Sequence, residues 1–93
     1  MRKLVVEDFL VTVIGNQNSG WHVASDSEKR SQEAQTLLFD FEIEDPGGGF
    51  ILAYHSKSNE LYADTWHESG DEAIKVANEE FGIPISAWKE ISG

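Results

Sequence analysis

The chain has no cysteine, only two prolines and few basic side chains: seven lysines and arginines against 17 aspartates and glutamates in 93 residues. Without cysteine there is no disulfide framework and no thiolate zinc site, which fits a reducing compartment. No apolar run approaches the ~18 residues of a membrane-spanning helix. The run that follows Arg2 and Lys3 is too short for a signal peptide and ends in Glu7 and Asp8. A soluble, cytoplasmic protein is expected. The shortage of bases leaves a formal charge of −10. A field of that sign repels nucleic-acid phosphates and anionic membranes, so neither is an expected partner, whereas a basic protein or a cation is attracted. The blander role of such charge is to keep the protein in solution.

What is present suffices for a core. Hydrophobic residues make up 40% of the chain and aromatics 11%, which argues against global disorder. With no repeat and no linker, residues 1–93 read as a single domain. Phe9 to Ile14 is β-prone. Gly15 to Gly20 ends that strand with turn residues, and Trp21 to Ala24 is a short extended piece. Ser25 to Gln35 is polar and reads as a loop, with one helical turn around Ser31 to Gln35. Thr36 to Glu44 alternates apolar and polar residues as a half-buried strand does. Asp45 to Gly49 is a turn, Phe50 to His55 a strand, Ser56 to Asn59 a turn and Glu60 to Trp66 a further strand.

Ser69 then announces a helix: it can cap the free N–H groups, and Glu72 can reach back to complete a capping box. Ala73, Ile74, Ala77 and Phe81 form the apolar stripe. Gly82 is placed for a left-handed C-terminal cap, and Pro84 prevents continuation. Ile85 and Trp88 are expected to pack the tail back. The fold class is therefore α+β, an antiparallel β-meander of about four strands with a C-terminal α-helix packed on one face.

The alternation also sets faces. If Asp45 to Gly48 forms one loop, Phe41 faces Leu52 and Phe39 faces Tyr54. If Ser56 to Asn59 forms the next, Tyr54 faces Leu61 and Leu52 faces Ala63. These side chains share one face, which takes the helix stripe. The other face holds Leu38, Asp40, Glu42, Glu44, Ile51, Ala53, His55, Glu60, Tyr62, Asp64 and Trp66, with Glu42, Ile51 and Asp64 in one row. Aromatic and aliphatic groups among acids suit a partner-binding surface, with Asp40, Glu42, Tyr62, Asp64 and Trp66 as its candidate residues. The alternative is that the first strand, the polar loop or Trp21 folds over this face.

Chemical motifs are sparse. Gly47-Gly48-Gly49 lacks the following helix and lysine of a phosphate loop and reads as a hairpin turn. The three histidines, His22, His55 and His67, have no metal-ligand spacing, although Asp64, His67 and Glu68 are candidate ligands at a strand end. No serine sits in a nucleophile elbow. Glu42 and Asp64 are a carboxylate pair of the glycosidase kind, but a sheet face this small leaves little room for a cleft. No catalytic, cofactor-binding or metal residue is therefore assigned, and no cofactor is expected.

The stretch Asp64-Thr65-Trp66-His67-Glu68-Ser69, followed by Glu72-Ala73, Glu79-Glu80-Phe81-Gly82-Ile83 and Trp88, resembles the C-terminal part of small bacterial proteins without an assigned activity. The resemblance covers about a quarter of the chain and implies a bacterial source and a shared sheet-to-helix junction, with no functional residue to carry over. On the residues themselves the expected function is a protein-interaction module that binds a basic partner, in the manner of an immunity or inhibitor protein. A small enzyme or metal-binding module using the Asp64–His67 region is one alternative. A self-associating domain, a homodimer formed through a free strand edge, is another.

Overall fold

The computed structural model describes residues 2–58 and 60–92. It is an α+β protein built on a curled antiparallel sheet with one helix near the C-terminus. The strands are β1 (Arg2–Asn16), β2 (Gly20–Val23), β3 (Gln35–Glu44), β4 (Phe50–Ser56), β5 (Tyr62–His67) and β6 (Lys89–Ser92), and the helix α1 (Gly70–Phe81) lies between β5 and β6. The spatial order is β2-β1-β3-β4-β5, with β6 paired to β1. The sheet is thus larger than a meander of about four strands. The long β1 makes the difference. One of its edges pairs β3, while the other takes β6 along Lys3 to Val5 and β2 along Val13 to Asn16. No helix among the described residues is long and apolar enough to cross a membrane.

β3 is the centre of the core. Phe39 and Phe41 are fully buried and Ile43 nearly so, while Leu38, Asp40, Glu42 and Glu44 alternate on the other side. Around them sit Val6, Val11 and Val13 of β1, Leu52 of β4, Leu61, Ala73 and Ala77 of α1, and Ile83. Phe81 meets Phe41 and Tyr54 edge-on, both at 4.9 Å between ring centres.

The curl follows from a ring contact. Trp21 on β2 lies 5.9 Å from Tyr54 on β4, although β1 and β3 separate those strands. In a flat sheet they would stand roughly 14 Å apart. Trp21 also packs on Phe39 at 5.6 Å, so it belongs to the concave core and does not fold over the opposite face. The first strand does not cover that face either, because it joins the sheet.

The registers differ from the expected ones by two residues. Phe41 pairs Tyr54 and Ile43 pairs Leu52; Tyr54 then pairs Ala63 and Leu52 pairs Thr65. A shift of two preserves every face. The first shift arises in the glycine turn, where Gly47, Gly48 and Gly49 all take positive φ and widen the loop. The second arises because Ser56 continues β4: its N–H donates to the Leu61 carbonyl and its hydroxyl accepts from Leu61 N–H. Asn59, in the turn expected over 56–59, lies outside the described residues.

The polar loop carries its helical turn at Glu28–Arg30, earlier than Ser31 to Gln35. Glu28 organises it: its carboxylate accepts from Ser25 N–H and contacts His22 Nε2, each at 3.0 Å. At the helix, Ser69 caps as expected, accepting from Glu72 N–H at 3.1 Å. Glu72's own carboxylate turns to His67 Nδ1, 3.7 Å away. Gly82 takes the left-handed conformation, φ 74°, and its N–H donates to the Asn78 carbonyl. Ile83 is fully buried and Ile85 is 66% exposed, so Ile83, not Ile85, joins Trp88 in securing the tail.

Ser69→Ala should cost about 1 kcal/mol through loss of the cap, read as a lowered Tm. Leu52→Ala should cost about 2–5 kcal/mol as a core truncation. Ile51→Ala, on the half-buried opposite face, should cost much less. Equal losses at 51 and 52 would mean that both faces of β4 are sealed.

Candidate functional site

The convex face of the sheet presents the candidate residues as three rows across β3, β4 and β5. Asp40, His55 and Tyr62 form one, Glu42, Ala53 and Asp64 the next, and Glu44, Ile51 and Trp66 the third. The two register shifts cancel, so Glu42 and Asp64 do share a row, but Ala53 stands between them in place of Ile51. β1 extends the rows with Val5 beside Glu42 and Lys3 beside Glu44.

All five candidate residues lie on this face, but their electrostatic surroundings divide them. Asp40 is the least exposed. Its carboxylate lies 2.9 Å from Lys57 Nζ and 3.7 Å from His55 Nε2, and it accepts from Asp8 N–H at 3.1 Å. Burial pushes this carboxyl up, but the Lys57 hydrogen bond, the Asp8 amide and the charges of Lys57 and His55 outweigh it and hold it below the usual aspartate value. Glu42 and Glu44 share Lys3, at 3.6 and 3.8 Å. Asp64 has no ion pair among the described residues and stands exposed. The acids of β3 are therefore answered from within the chain, and the acid of β5 is not.

The aromatic pair lies on β5 as well. Tyr62 and Trp66 are each 59% exposed. Trp66 is not loose: its indole lies against Gly49, where a Cβ would overlap the ring. Gly49 at φ 154° thus allows the turn and seats the tryptophan. Leu10, Leu38 and Ile91 add exposed apolar area.

The sequence reading did not find Asp8, Lys57 and Lys3 as members of this site. Residues 2 to 8 carry no clear alternation, because β1 is bulged between Val6 and Phe9. Asp8 sits in the bulge at φ 57°, a left-handed conformation that aspartate tolerates better than most residues. The bulge aims its N–H at Asp40 and its carboxylate at Lys57, 3.1 Å away. The tell-tale in the sequence was Glu7-Asp8 interrupting an otherwise apolar β-prone run.

Asp64 and His67 do not converge. Three residues apart on a strand, they point to opposite faces. His67 is 7% exposed on the concave side, its Nε2 2.7 Å from Thr65 Oγ1 and its Nδ1 facing Glu72. The His67–Glu72 contact joins the end of β5 to the first turn of α1. Among the described residues no group of three or more His, Asp or Glu is placed to hold a metal ion.

Comparison of the chain with protein families, with curated proteins and with solved structures finds no match.

The Asp8–Asp40–Lys57 cluster sets a pH window. A lowered Asp40 pKa contributes stability that is fully present above the unfolded value near ~3.9 and is lost as pH falls through the native value. Lys57 is raised, first by its hydrogen bond to Asp40 and then by that to Asp8, so its contribution is present below ~10.4 and lost as pH rises through its native value. Asp40→Asn should therefore lower the urea midpoint more at pH 7 than at a pH below the native Asp40 value, where the wild-type carboxyl is itself protonated. An equal loss at both pH values would show that the charge of Asp40 plays no part.

Proposed function

We propose that this protein is an interaction module that binds a basic partner protein through the convex face of its sheet, as an immunity or inhibitor protein binds a cationic enzyme. The observation that carries the reading is the open acidic-aromatic surface at β5, where two large aromatics are more than half exposed beside an acid without an internal counter-charge. In this reading α1 covers the concave face and the convex face is left for a partner, and the site of action is the cytoplasm.

Two physical effects support it. Acid clusters raise the rate of encounter with a cation-rich surface. Tyr62 and Trp66 supply the rigid apolar area that dominates many interfaces. The ion pairs on β3 refine the assignment. Asp40 and Glu42 already have basic neighbours, so Asp64, Tyr62 and Trp66 carry most of the interaction and Asp40 mainly holds the sheet.

The test is a pull-down on immobilised chain at low salt, followed by surface-plasmon kinetics against the captured protein. Asp64→Lys should slow association by about tenfold and flatten its salt dependence. Glu42→Lys should do less, because Lys3 already offsets that charge. Trp66→Ala should mainly speed dissociation, with circular dichroism confirming the fold. Salt-independent association, unaffected by reversal at both 42 and 64, would remove the electrostatic basis of the proposal.

A further inference from the structure

β5 is the last strand of its sheet, and the direction of its backbone groups follows from the ladder. Ser56 N–H donates to Leu61 O, and Lys57 N–H donates to Leu38 O. Along β4, then, Ile51, Ala53 and His55 bond to β3, while Phe50, Leu52 and Tyr54 bond to β5. In an antiparallel pair the bonded residues lie opposite one another, so Ala63, Thr65 and His67 bond inward. The N–H and C=O groups of Tyr62, Asp64 and Trp66 consequently point away from the sheet.

One of them shows what this edge accepts. Tyr62 N–H donates to Gln17 Oε1 at 3.1 Å, so a side-chain amide from the β1–β2 turn takes the place of an added strand's carbonyl. Beyond it, no described residue accepts from the N–H of Asp64 or Trp66. A shallow hollow of about 550 Å³ opens there, lined in part by Gln17, Tyr62, Ala63 and Asp64.

The side chains beside the edge define its occupant. Tyr62, Asp64 and Trp66 follow one another along β5 at the two-residue period of a strand, and Glu60 and Glu68 flank its two ends. Between Lys57 and Lys75 the chain has no lysine or arginine. A second copy fits poorly. Antiparallel self-pairing centred on Asp64 sets Asp64 against Asp64, with Glu60 and Glu68 flanking the pair, and any other register still aligns two acidic strands without a base. A strand that alternates basic and apolar residues meets acid with base and aromatic with aliphatic.

We infer that β5 is a strand-addition site, at which an extended basic segment of a partner pairs with the outward backbone of Asp64 and Trp66 next to Gln17. The inference rests on the proposed binding of a basic protein and specifies how it occurs: the partner's backbone extends the sheet, and its alternate side chains read the acid-aromatic row.

The experiment uses the full chain, 15N-labelled, and an acetylated, amidated heptapeptide of alternating lysine and valine at low salt. Amide exchange is followed residue by residue, with a fully N-methylated peptide of the same charge as control. At saturation, exchange at Asp64 and Trp66 should slow by about tenfold or more, while Ala63 and Thr65, already bonded to β4, change little. The N-methylated peptide should give no such protection, and Asp64→Lys should weaken binding of the first peptide. If both peptides bind alike and the Asp64 and Trp66 amides stay open, the strand-addition inference falls while charge-driven binding to the face survives. Absence of binding up to about 1 mM overturns the inference too. So does protection that appears without peptide and grows with protein concentration, because the occupant is then a second copy.

Discussion

The structure depends on the two-sidedness of β3. Phe39, Phe41 and Ile43 are sealed on one side, and each successive residue between them is an acid. No other placement of this strand removes three large apolar side chains from water without also burying carboxylates, and burying an unpaired carboxylate costs far more than such a side chain returns. β1 and β4 pair with the two edges of β3. Their own alternation is thereby aligned with it, and the concave and convex faces of the whole sheet follow.

This explains which features were legible in the sequence. Face assignment is a parity property, so it survived two register shifts that changed every cross-strand neighbour. The helix was legible because its limits are chemical: a serine hydroxyl on the Glu72 N–H at one end, a left-handed glycine at the other. The register was less legible because it depends on turn geometry. The positive φ angles of Gly47, Gly48 and Gly49 permit several loop lengths, and the buried Ser56 reads as a turn residue until its hydroxyl is seen on Leu61 N–H. β1 was obscured by its bulge, which breaks the period of two between Val6 and Phe9. β6 was missed because its four residues (Lys89–Ser92) form a strand only through β1, and the sequence holds no local signal of that pairing.

For the candidate site the same distinction holds between pattern and partner. That Asp40, Glu42, Tyr62, Asp64 and Trp66 share a face was legible. That Lys57 and Lys3 neutralise the acids of β3 was not, since both lysines are distant from those acids in sequence. A net charge of −10 therefore says little about where a field acts. Exposed ion pairs of the Lys3–Glu42 kind contribute little stability, but they cancel much of the local potential. The unanswered charge moves to β5 and its exit, where Asp64 and Glu68 fall in the stretch between Lys57 and Lys75 that has no lysine or arginine.

An exposed sheet edge with two large aromatics beside it is a hazard for any small protein, because it invites pairing with whatever strand it meets. Here the hazard is limited by the acids interleaved with the aromatics. The Asp64 carboxylates oppose one another when two copies approach edge to edge, with Glu60 and Glu68 flanking them, so the unwanted pairing is repulsive at the distance where backbone bonds would form. Gln17 shortens the open edge by occupying Tyr62 N–H, and Gly49 holds the Trp66 indole against the turn. The arrangement that discourages a second acidic strand favours a basic one, for the sign of the interaction depends only on the partner. In the proposed binding mode Asp64 and the flanking Glu60 and Glu68 would select a basic strand, and the two accounts of the chain's charge, a solvating coat or a binding field, then describe the same residues facing different neighbours.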